Sequence, residues 1–449
     1  MTKLKSEYLK IKLSNGIKCI LYPRTEIHSF SISSKINVGS LDEDSEVNGI
    51  SHLMEHLAFD GTKAFTDWQS LNFFLNDISG SSNAYTADDQ TKYYGTFPQQ
   101  YLEEGIKYIS EVTLNPLYNV KDIKKEVDII LDEKTRYDDS VDYQMQTNIV
   151  KSRYINQDTA FSRDVIGSVE NLKKFTKKDI AQHHKKYYIP ENIEIFMVGN
   201  FDLTKTTLLL EQYFGNFKSK QKLPEREYLK SFPEYSEFTI KAKQKLDINQ
   251  YYLVLNFPSP EFIFTKFEER YLLSFLSSIT ASQQHQSSIL WRRLREELGI
   301  VYDVSAWSFS MMSRSLFAID TNFNPEYLET VLREIYNGIN IIKAGKEGED
   351  IFERRKKRLI DTELIRYDNP SNILDWIISQ EEEMAYHGRS LLITEYIDLV
   401  KSYKFKDVIK LANKVYDWNK VNIVLVTKDN SAKVEKNINK LWAKIISEK

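Results

Sequence analysis

Two histidines and a glutamate stand close together early in the sequence, within NGISHLMEHLAFDGT at residues 48–62. His52 and His56 are four residues apart, so a helix would place both imidazoles on one face, with Glu55 beside them. Imidazole nitrogens are common zinc ligands, and a carboxylate beside the metal can take a proton from water. The spacing therefore predicts a metal site with an acid–base group, which needs a third ligand from elsewhere in the chain.

The residues between these polar ones predict how the segment is anchored. Advancing by about 100° per residue puts the apolar side chains within an arc of about 140°, opposite the histidines and Glu55. The apolar set is Ile50, Leu53, Met54, Leu57 and Ala58. A glycine at position 61 suits the end of a helix. We therefore expect a short amphipathic helix that buries one face and presents the histidines on the other.

Candidates for the third ligand lie in the acidic segment VKDIKKEVDIILDEKTRYDD at residues 120–139. Glu126 and Glu133 are seven residues apart, which is two helical turns, so they share a helix face. The same oxygen chemistry is offered by Asp122, Asp128 and Asp132. Spacing alone does not choose among these five carboxylates, and a helix with this much charge can equally be a solvated surface.

Strand patterns surround these motifs. Residues 8–23 alternate apolar and polar positions around a central SNG, which predicts a β-hairpin. Residues 179–202 predict a helix, a proline-marked turn and a buried strand. The polar stretch 218–236 contains two prolines and predicts a linker between an N-terminal domain, residues 1–217, and a C-terminal domain, residues 237–449.

A faint internal repeat connects the two halves. TFPQQYLEEGIKYI at 96–109 and NFNPEYLETVLREI at 322–335 share several aligned positions, which favours a duplicated α+β domain. Only the first half carries His-x-x-Glu-His. The second half has two histidines far apart, His285 and His387, so the metal site is expected in the first half alone.

Charge and cysteine content argue against some classes of protein. Lys+Arg 61 and Asp+Glu 64 give a net charge of −3, which does not suit a nucleic-acid binder that must neutralise phosphates. Cys19 is the only cysteine, so no internal disulfide can form and a reducing compartment is favoured. Neither a signal-peptide pattern nor an apolar run of ~18 residues is present. We therefore expect a cytoplasmic protein without a membrane partner.

His-x-x-Glu-His is the inverted zincin signature, and the chain resembles the pitrilysin, or insulinase, family (M16) of zinc peptidases over nearly its whole length. Its length and two-half layout resemble the shorter members, which are related to the mitochondrial processing peptidase β subunit. KKEVDIILDE, at residues 124–133, is similar to the family's second acidic motif. The resemblance implies Glu133 as the third zinc ligand, Glu126 as a support for the site, and one Zn²⁺ per chain.

Two further segments of the first half resemble parts of that family. SSNAYT is similar to an edge strand that pairs with the substrate backbone, which implies substrate contacts at Asn83 and Ala84. The segment that begins with His183 and His184 is similar to a structural part of the family. These two histidines are therefore predicted to be packing or surface residues.

The second half resembles the family at LREELGIVYDVSA, residues 294–306. The resemblance implies that Arg295 and Tyr302 reach the zinc site, where tyrosine can donate to an oxyanion and arginine can hold a carbonyl or carboxylate. From the residues alone, we would expect solvated arginines and a tyrosine in a strand core. Arg293 remains an alternative to Arg295.

The resemblance also implies the architecture and the activity. The expected fold is α+β, with two duplicated α/β-roll domains, each a mixed and mostly antiparallel sheet with helices on one face, which form a clamshell. The expected function is zinc-dependent endopeptidase activity on peptides or unfolded precursor segments, and the alternative is a non-catalytic or partner subunit of a peptidase or scaffold complex. A homodimer is expected, with a heterodimer of related subunits as the alternative.

Overall fold

The computed structural model describes residues 8–145, 160–226, 238–257, 266–284, 286–311 and 314–448. Within these ranges the strands are β1 Leu9–Lys12, β2 Lys18–Pro23, β3 Ser29–Ile36, β4 Ser81–Thr86, β5 Thr91–Pro98, β6 Ile193–Gly199, β7 Thr239–Gln244, β8 Tyr251–Phe257, β9 Val301–Met311, β10 Arg314–Phe323 and β11 Asn422–Thr427. The strands form two sheets, one in each of two compact units.

The described residues also form helices, which are interspersed with the strands along the chain. They are α1 Ile50–Leu57, α2 Trp68–Asp77, α3 Leu102–Leu114, α4 Val120–Asp139, α5 Val169–Leu172, α6 Lys177–Tyr187, α7 Leu203–Leu210, α8 Leu273–Thr280, α9 Ile289–Trp291, α10 Leu328–Lys343, α11 Glu349–Arg366, α12 Pro370–His387, α13 Ile393–Ser402, α14 Phe405–Val415 and α15 Ser431–Ser447. A π-helical turn at Arg292–Glu297 continues α9. None of the helices in the described ranges combines the length and apolar character needed to cross a membrane.

The sheet of the first unit has the strand order β1-β2-β6-β3-β5-β4. Its neighbouring strands are antiparallel except for the parallel pair β2 and β6. The predicted hairpin is the pair β1 and β2, in which Leu9 lies opposite Leu21. On one face of this sheet, Phe30 and Ile32 belong to the same buried core as Leu53 of α1 and Ile106 of α3. The helix that carries the candidate metal ligands is thus anchored on the sheet by the apolar stripe that the sequence predicts.

The other face of this sheet is covered by a helix from late in the chain. Ile20 and Phe196, on β2 and β6, pack with Ile373 and Ile377 of α12. Strands in a parallel pair that are apolar on both sides need cover on both faces, and α12 supplies the second layer. This layer adds to the predicted arrangement, which placed helices on one face.

The sheet of the second unit has the order β7-β11-β8-β10-β9. Here β7 and β11 are parallel and the other neighbours are antiparallel. This is the order and orientation of β2-β6-β3-β5-β4 in the first unit, so the second sheet repeats the first without β1. The predicted α+β class with two duplicated sheets is therefore confirmed.

The boundary between the two compact units is not simply the predicted linker, because each unit contains several segments of the chain. The first consists of Met1–Arg136, Asp158–Ser231 and Leu364–Leu392, and the second consists of the rest of the chain. Met145 illustrates the difference, because it packs with Val254 and Val424 of the second sheet. Each half of the sequence thus contributes one segment to the other unit, because each sheet has an apolar face that its own half leaves uncovered.

The predicted linker has no regular structure where it is described. Residues 218–226 form neither helix nor strand. Residues 227–236 of the linker, and His285, lie outside the described residues.

Candidate metal centre

Helix α1 presents His52, Glu55 and His56 on the side opposite its buried residues. The helix begins after Gly49, whose φ of 99° lies in the left-handed region. A Cβ at this position would lie 2.8 Å from the Cα of Gly167 and 2.9 Å from the carbonyl oxygen of Ile166. Glycine is therefore required both for the backbone angle and for space, and it fixes the start of the metal-site helix.

A buried glutamate satisfies the first turn of α1 in place of a side chain at the N-cap. Glu43 accepts hydrogen bonds from the backbone N–H of Gly49 (2.7 Å) and of Ser51 (2.8 Å), and from Nδ2 of Asn48 (3.0 Å). These backbone donors have no partner within the helix, and the helix N-terminus favours a negative charge. Glu43 was not predicted from the sequence, although an acid shortly before a helix that starts at glycine is a signal for this contact.

Burial raises the pKa of Glu43 to about 7, from an ordinary 4.5, although its hydrogen bonds from Gly49, Ser51 and Asn48 act in the opposite direction. The folded state therefore holds a proton that the unfolded state has lost between these pH values, so stability falls as pH rises through this window. We expect the free energy of unfolding of the wild type, relative to Glu43→Gln, to fall by about 3 kcal/mol between pH 4.5 and 7. Urea unfolding at several pH values measures this difference, and a difference independent of pH would contradict it.

Helix α4 brings one carboxylate to the histidines. Oε2 of Glu133 lies 3.8 Å from Nε2 of His52 and 3.7 Å from Nε2 of His56. One ligand atom from each of these three residues can be chosen so that all lie within 4.8 Å of one another. The chain thus brings together the three residues for which the resemblance implies zinc binding.

The three aspartates of α4 that were also candidates for the third ligand have other surroundings. Asp128 and Asp132 are exposed, and Asp122 accepts a hydrogen bond from Nδ2 of Asn119 (3.0 Å). Within the described residues, no cluster of metal-ligating side chains other than His52, His56 and Glu133 is present.

The donor atoms fit a divalent metal. Oε2 of Glu133 is buried and has no hydrogen-bond partner among the described residues, so a carboxylate oxygen is left for a cation. Zinc bonds of 2.0–2.2 Å in tetrahedral geometry separate ligand atoms by about 3.3–3.6 Å, and Oε2 of Glu133 lies only slightly farther, 3.7 and 3.8 Å, from the two imidazole nitrogens. Two imidazoles and one carboxylate are also the protein ligands of many catalytic zinc sites, which keep a further position open.

Glu126 orients one of the histidines. Its Oε2 lies 3.0 Å from Nδ1 of His56, so Nε2 of the same ring faces Glu133. Burial lowers the pKa of His56, but the hydrogen bond to Glu126 and the neighbouring carboxylates outweigh burial and raise it. For His52, burial and then the charge of His56 lower the pKa to about 3. His52 is therefore a neutral imidazole at pH 7, the form that binds metals.

Glu55 is held beside the ligands by a strand residue. Oγ1 of Thr86, at the end of β4, donates to Oε2 of Glu55 at 2.8 Å. Burial raises the pKa of Glu55, although the bond from Thr86 and the charge of His56 lower it. Thr86 was not singled out from the sequence, although it is the last residue of the SSNAYT segment.

The predicted substrate strand is the outermost strand of the first sheet. Within the described residues β4 pairs with β5 alone, so its other edge is not occupied by a strand. Asn83 is exposed and Ala84 is buried in the core. The edge therefore lies next to Glu55, which Thr86 of the same strand contacts.

A cavity of about 630 Å³ adjoins the candidate centre. Glu55 and His56 line it together with both apolar and polar side chains. The apolar lining is Phe59, Trp68, Leu71, Leu75 and Tyr108, and the polar lining is Asp60, Asn72, Ser82, Asn83, Lys125 and Glu126. The cavity is large enough for a bulky amino-acid side chain.

The arginine and tyrosine predicted from the second half lie together in the second unit. The guanidinium of Arg295 lies 4.7 Å from the ring centre of Trp291 and 4.9 Å from that of Tyr302, and it donates to the carbonyl oxygen of Tyr302. Tyr302 is 75% exposed, so it is not a strand core residue. Arg293 forms an ion pair with Glu334 (2.5 Å), and Nε of Arg295 lies 3.7 Å from Oε1 of Glu296, so Arg293 stays the alternative to Arg295. The role of Arg295 and Tyr302 at the metal centre stays a prediction.

His183 and His184 are packing residues. Both are largely buried, His183 against Tyr187 and His184 stacked on Tyr188 with ring centres 4.4 Å apart. Nε2 of His183 also lies 3.1 Å from Oγ of Ser51. Because Ser51 is on α1, this contact helps to fix the metal-site helix.

Two protein-family models match the chain. Residues 20–163 match a model described as insulinase (peptidase family M16), and residues 174–359 match one described as the peptidase M16 inactive domain. Together the two matches extend over most of the chain, and the first contains all the candidate ligands.

Relatives of similar length match across both halves. An uncharacterized zinc protease of Rickettsia felis is 26% identical over 420 residues, which is 92% of this chain and 96% of that protein. The mitochondrial-processing peptidase subunit beta of Dictyostelium discoideum is 23% identical over 90% of this chain and 87% of its own. The crystal structure of a protease from Helicobacter pylori has the same fold, with a TM-score of 0.82 at 18% identity over 94% of this chain and 99% of that one.

Proposed function

This chain belongs to peptidase family M16, and on that premise we propose that it is a zinc-dependent endopeptidase that cleaves peptides or unfolded precursor segments. The proposal rests on one observation. Three ligand atoms of His52, His56 and Glu133 converge beside a glutamate that Thr86 holds in place. One zinc ion per chain would occupy this group of ligands.

The chemistry divides between the metal and the protein. A bound zinc ion would act as a Lewis acid, which polarises the scissile carbonyl and lowers the pKa of water. Glu55 takes a proton from the attacking water and returns one to the leaving nitrogen. Its burial raises its pKa, which makes it a stronger base than an exposed glutamate. Glu126 keeps the ring of His56 in the orientation needed for binding.

The proposed position of the substrate is on the first sheet. A peptide in extended form can add to the free edge of β4 through backbone hydrogen bonds, beside Asn83 and Ala84. Such pairing accepts many sequences, because it uses atoms common to all residues. The adjoining cavity would then receive a side chain next to the scissile bond. Arg295 and Tyr302 are proposed to contact the substrate and the developing oxyanion.

The rival proposal is a non-catalytic or partner subunit. The description of the second matching model as an inactive domain favours this idea for residues 174–359. Against it stands the first half, where both histidines, Glu55 and Glu133 are all present. The expected homodimer, the alternative heterodimer with a related subunit, and the cytoplasmic location stay predictions.

Metal removal tests the proposed function directly. A mixed peptide pool incubated with the purified protein should show new internal cleavage products by mass spectrometry. These products should disappear after treatment with 1,10-phenanthroline, because the chelator removes the Lewis acid. They should return when zinc is added, because the protein ligands are still in place. Equal cleavage with and without the chelator would contradict a zinc enzyme, and no cleavage under any condition would favour the partner subunit.

A further inference from the structure

A lysine lies between two buried carboxylates next to the candidate centre. Nζ of Lys125 forms an ion pair with Oδ1 of Asp60 and a second with Oε1 of Glu126, at 3.0 Å. Asp60 is 9% exposed and Glu126 is 7% exposed, whereas the side chain of Lys125 is 46% exposed. The lysine therefore reaches from the surface to the buried acids.

The two oxygens of Glu126 have different partners. Oε1 pairs with Lys125, and Oε2 lies 3.0 Å from Nδ1 of His56. The carboxylate is thus held from both ends, and its plane cannot rotate without breaking one contact. A hydrogen-bonded chain consequently runs from Asp60 through Lys125 and Glu126 to the imidazole of His56.

This chain of contacts also joins the two elements that supply the ligands. Asp60 lies in the turn directly after α1, where its N–H donates to the carbonyl oxygen of Leu57 at 3.3 Å. Lys125 and Glu126 lie on α4, the helix that carries Glu133. The Asp60–Lys125 pair therefore ties the C-terminal end of the histidine helix to the glutamate helix.

We propose that Lys125 and Asp60 are positioning residues for the metal centre. They hold Glu126 so that Nε2 of His56 faces His52 and Glu133. Both residues also line the cavity that is proposed to receive a substrate side chain, but their effect on metal binding acts through Glu126. The inference rests on the proposed function, since it assigns a task in metal binding.

A positional role has to be distinguished from a role in overall stability. The lysine is half exposed, so solvent screens its ion pairs, but its loss would leave the buried Asp60 and Glu126 without their cation. A hydrogen-bond partner of a metal-binding histidine typically changes metal affinity by about 10–100-fold. Loss of Lys125 leaves Oε1 of Glu126 without its cation, so the carboxylate can turn away from His56.

The test measures zinc affinity of the full-length protein by competition with a chromophoric chelator. Lys125→Met should weaken zinc binding by about 10-fold, the low end of the range for a direct partner of a ligating histidine, because it acts through Glu126, and Lys125→Arg, which keeps the charge, should restore most of the affinity. Lys124→Met is the matched control, because Lys124 is exposed on the same helix and should leave affinity unchanged. The visible spectrum of the Co²⁺-loaded protein should change in Lys125→Met alone.

The outcomes separate this inference from the proposed function. Wild-type zinc affinity in Lys125→Met would overturn the inference and leave the proposed function standing. The inference would also be overturned if the melting temperature of metal-free Lys125→Met fell together with its zinc affinity and Lys125→Arg did not restore that affinity. Such a result would indicate a structural role for Lys125. A wild-type protein that binds no zinc would overturn both. Asp60→Asn should weaken binding less than Lys125→Met, because Lys125 keeps its contact with Glu126.

Discussion

Replacing Glu55 by glutamine is expected to lower the rate of peptide cleavage by about 10²–10⁴-fold while zinc stays bound. The amide cannot accept the proton of the attacking water, so acid–base catalysis is lost. Its carbonyl oxygen can still accept the hydrogen bond from Oγ1 of Thr86, which the carboxylate accepts at 2.8 Å. The surroundings of the two histidines should therefore be preserved. Turnover of a quenched fluorescent peptide and the zinc content of the same sample measure the two quantities.

Glu46→Gln is the matched control for this variant. Glu46 is exposed and precedes α1 in the same unit, so its amide should change neither turnover nor zinc content. Near-normal turnover in Glu55→Gln would contradict the assignment of Glu55 as the general base. A variant that loses zinc as well as activity would instead indicate that Glu55 supports the metal.

Removing the carboxylate of Glu133 is expected to weaken zinc binding more strongly than any change to its surroundings. Groups that only support a ligand change affinity by about 10–100-fold, and loss of one of three protein ligands should exceed this range. In Glu133→Ala the two imidazoles of α1 remain, but two ligands hold zinc poorly in competition with water. Cleavage should fall with metal content, as measured by mass spectrometry of bound zinc and by peptide turnover.

Asp128→Ala provides the control on the same helix. It is one of the five acids that spacing left open, and the structure places it in solvent. It should bind zinc and cleave peptides as the wild type does. If Asp128→Ala lost zinc and Glu133→Ala kept it, the ligand set would be wrong.

Helix α1 shows how much can be predicted from the local pattern of apolar and polar residues. The period of 3.6 residues predicts that Leu53 and Met54 are buried and that His52 and His56 share the opposite face, and α1 has this arrangement. Periodicity suffices here because a helix fixes the directions of its own side chains. The same periodicity predicts that Glu126 and Glu133 share one face of α4, but it does not select the acid that lies next to the histidines.

Residues that act through contacts outside a single helix could not be found in this way. Glu43 meets the first turn of α1, and Asp60 meets Lys125 across 65 positions of sequence. Neither contact leaves a periodic signal, because each depends on how a turn or loop approaches a helix. The exchange of segments between the units was missed for the same reason, since apolar residues of α12 do not reveal which sheet they cover.

The sequence by itself determined the amphipathic metal-site helix, the duplicated α+β architecture and the chemical types of the ligands, because these follow from local spacing and from repetition along the chain. The family resemblance implied Glu133, but only the tertiary structure decided that its carboxylate lies next to both histidines and that α12 covers the first sheet. It also decided that Lys125 links Asp60 to Glu126. These are distances between segments far apart in sequence, and packing of whole elements sets them.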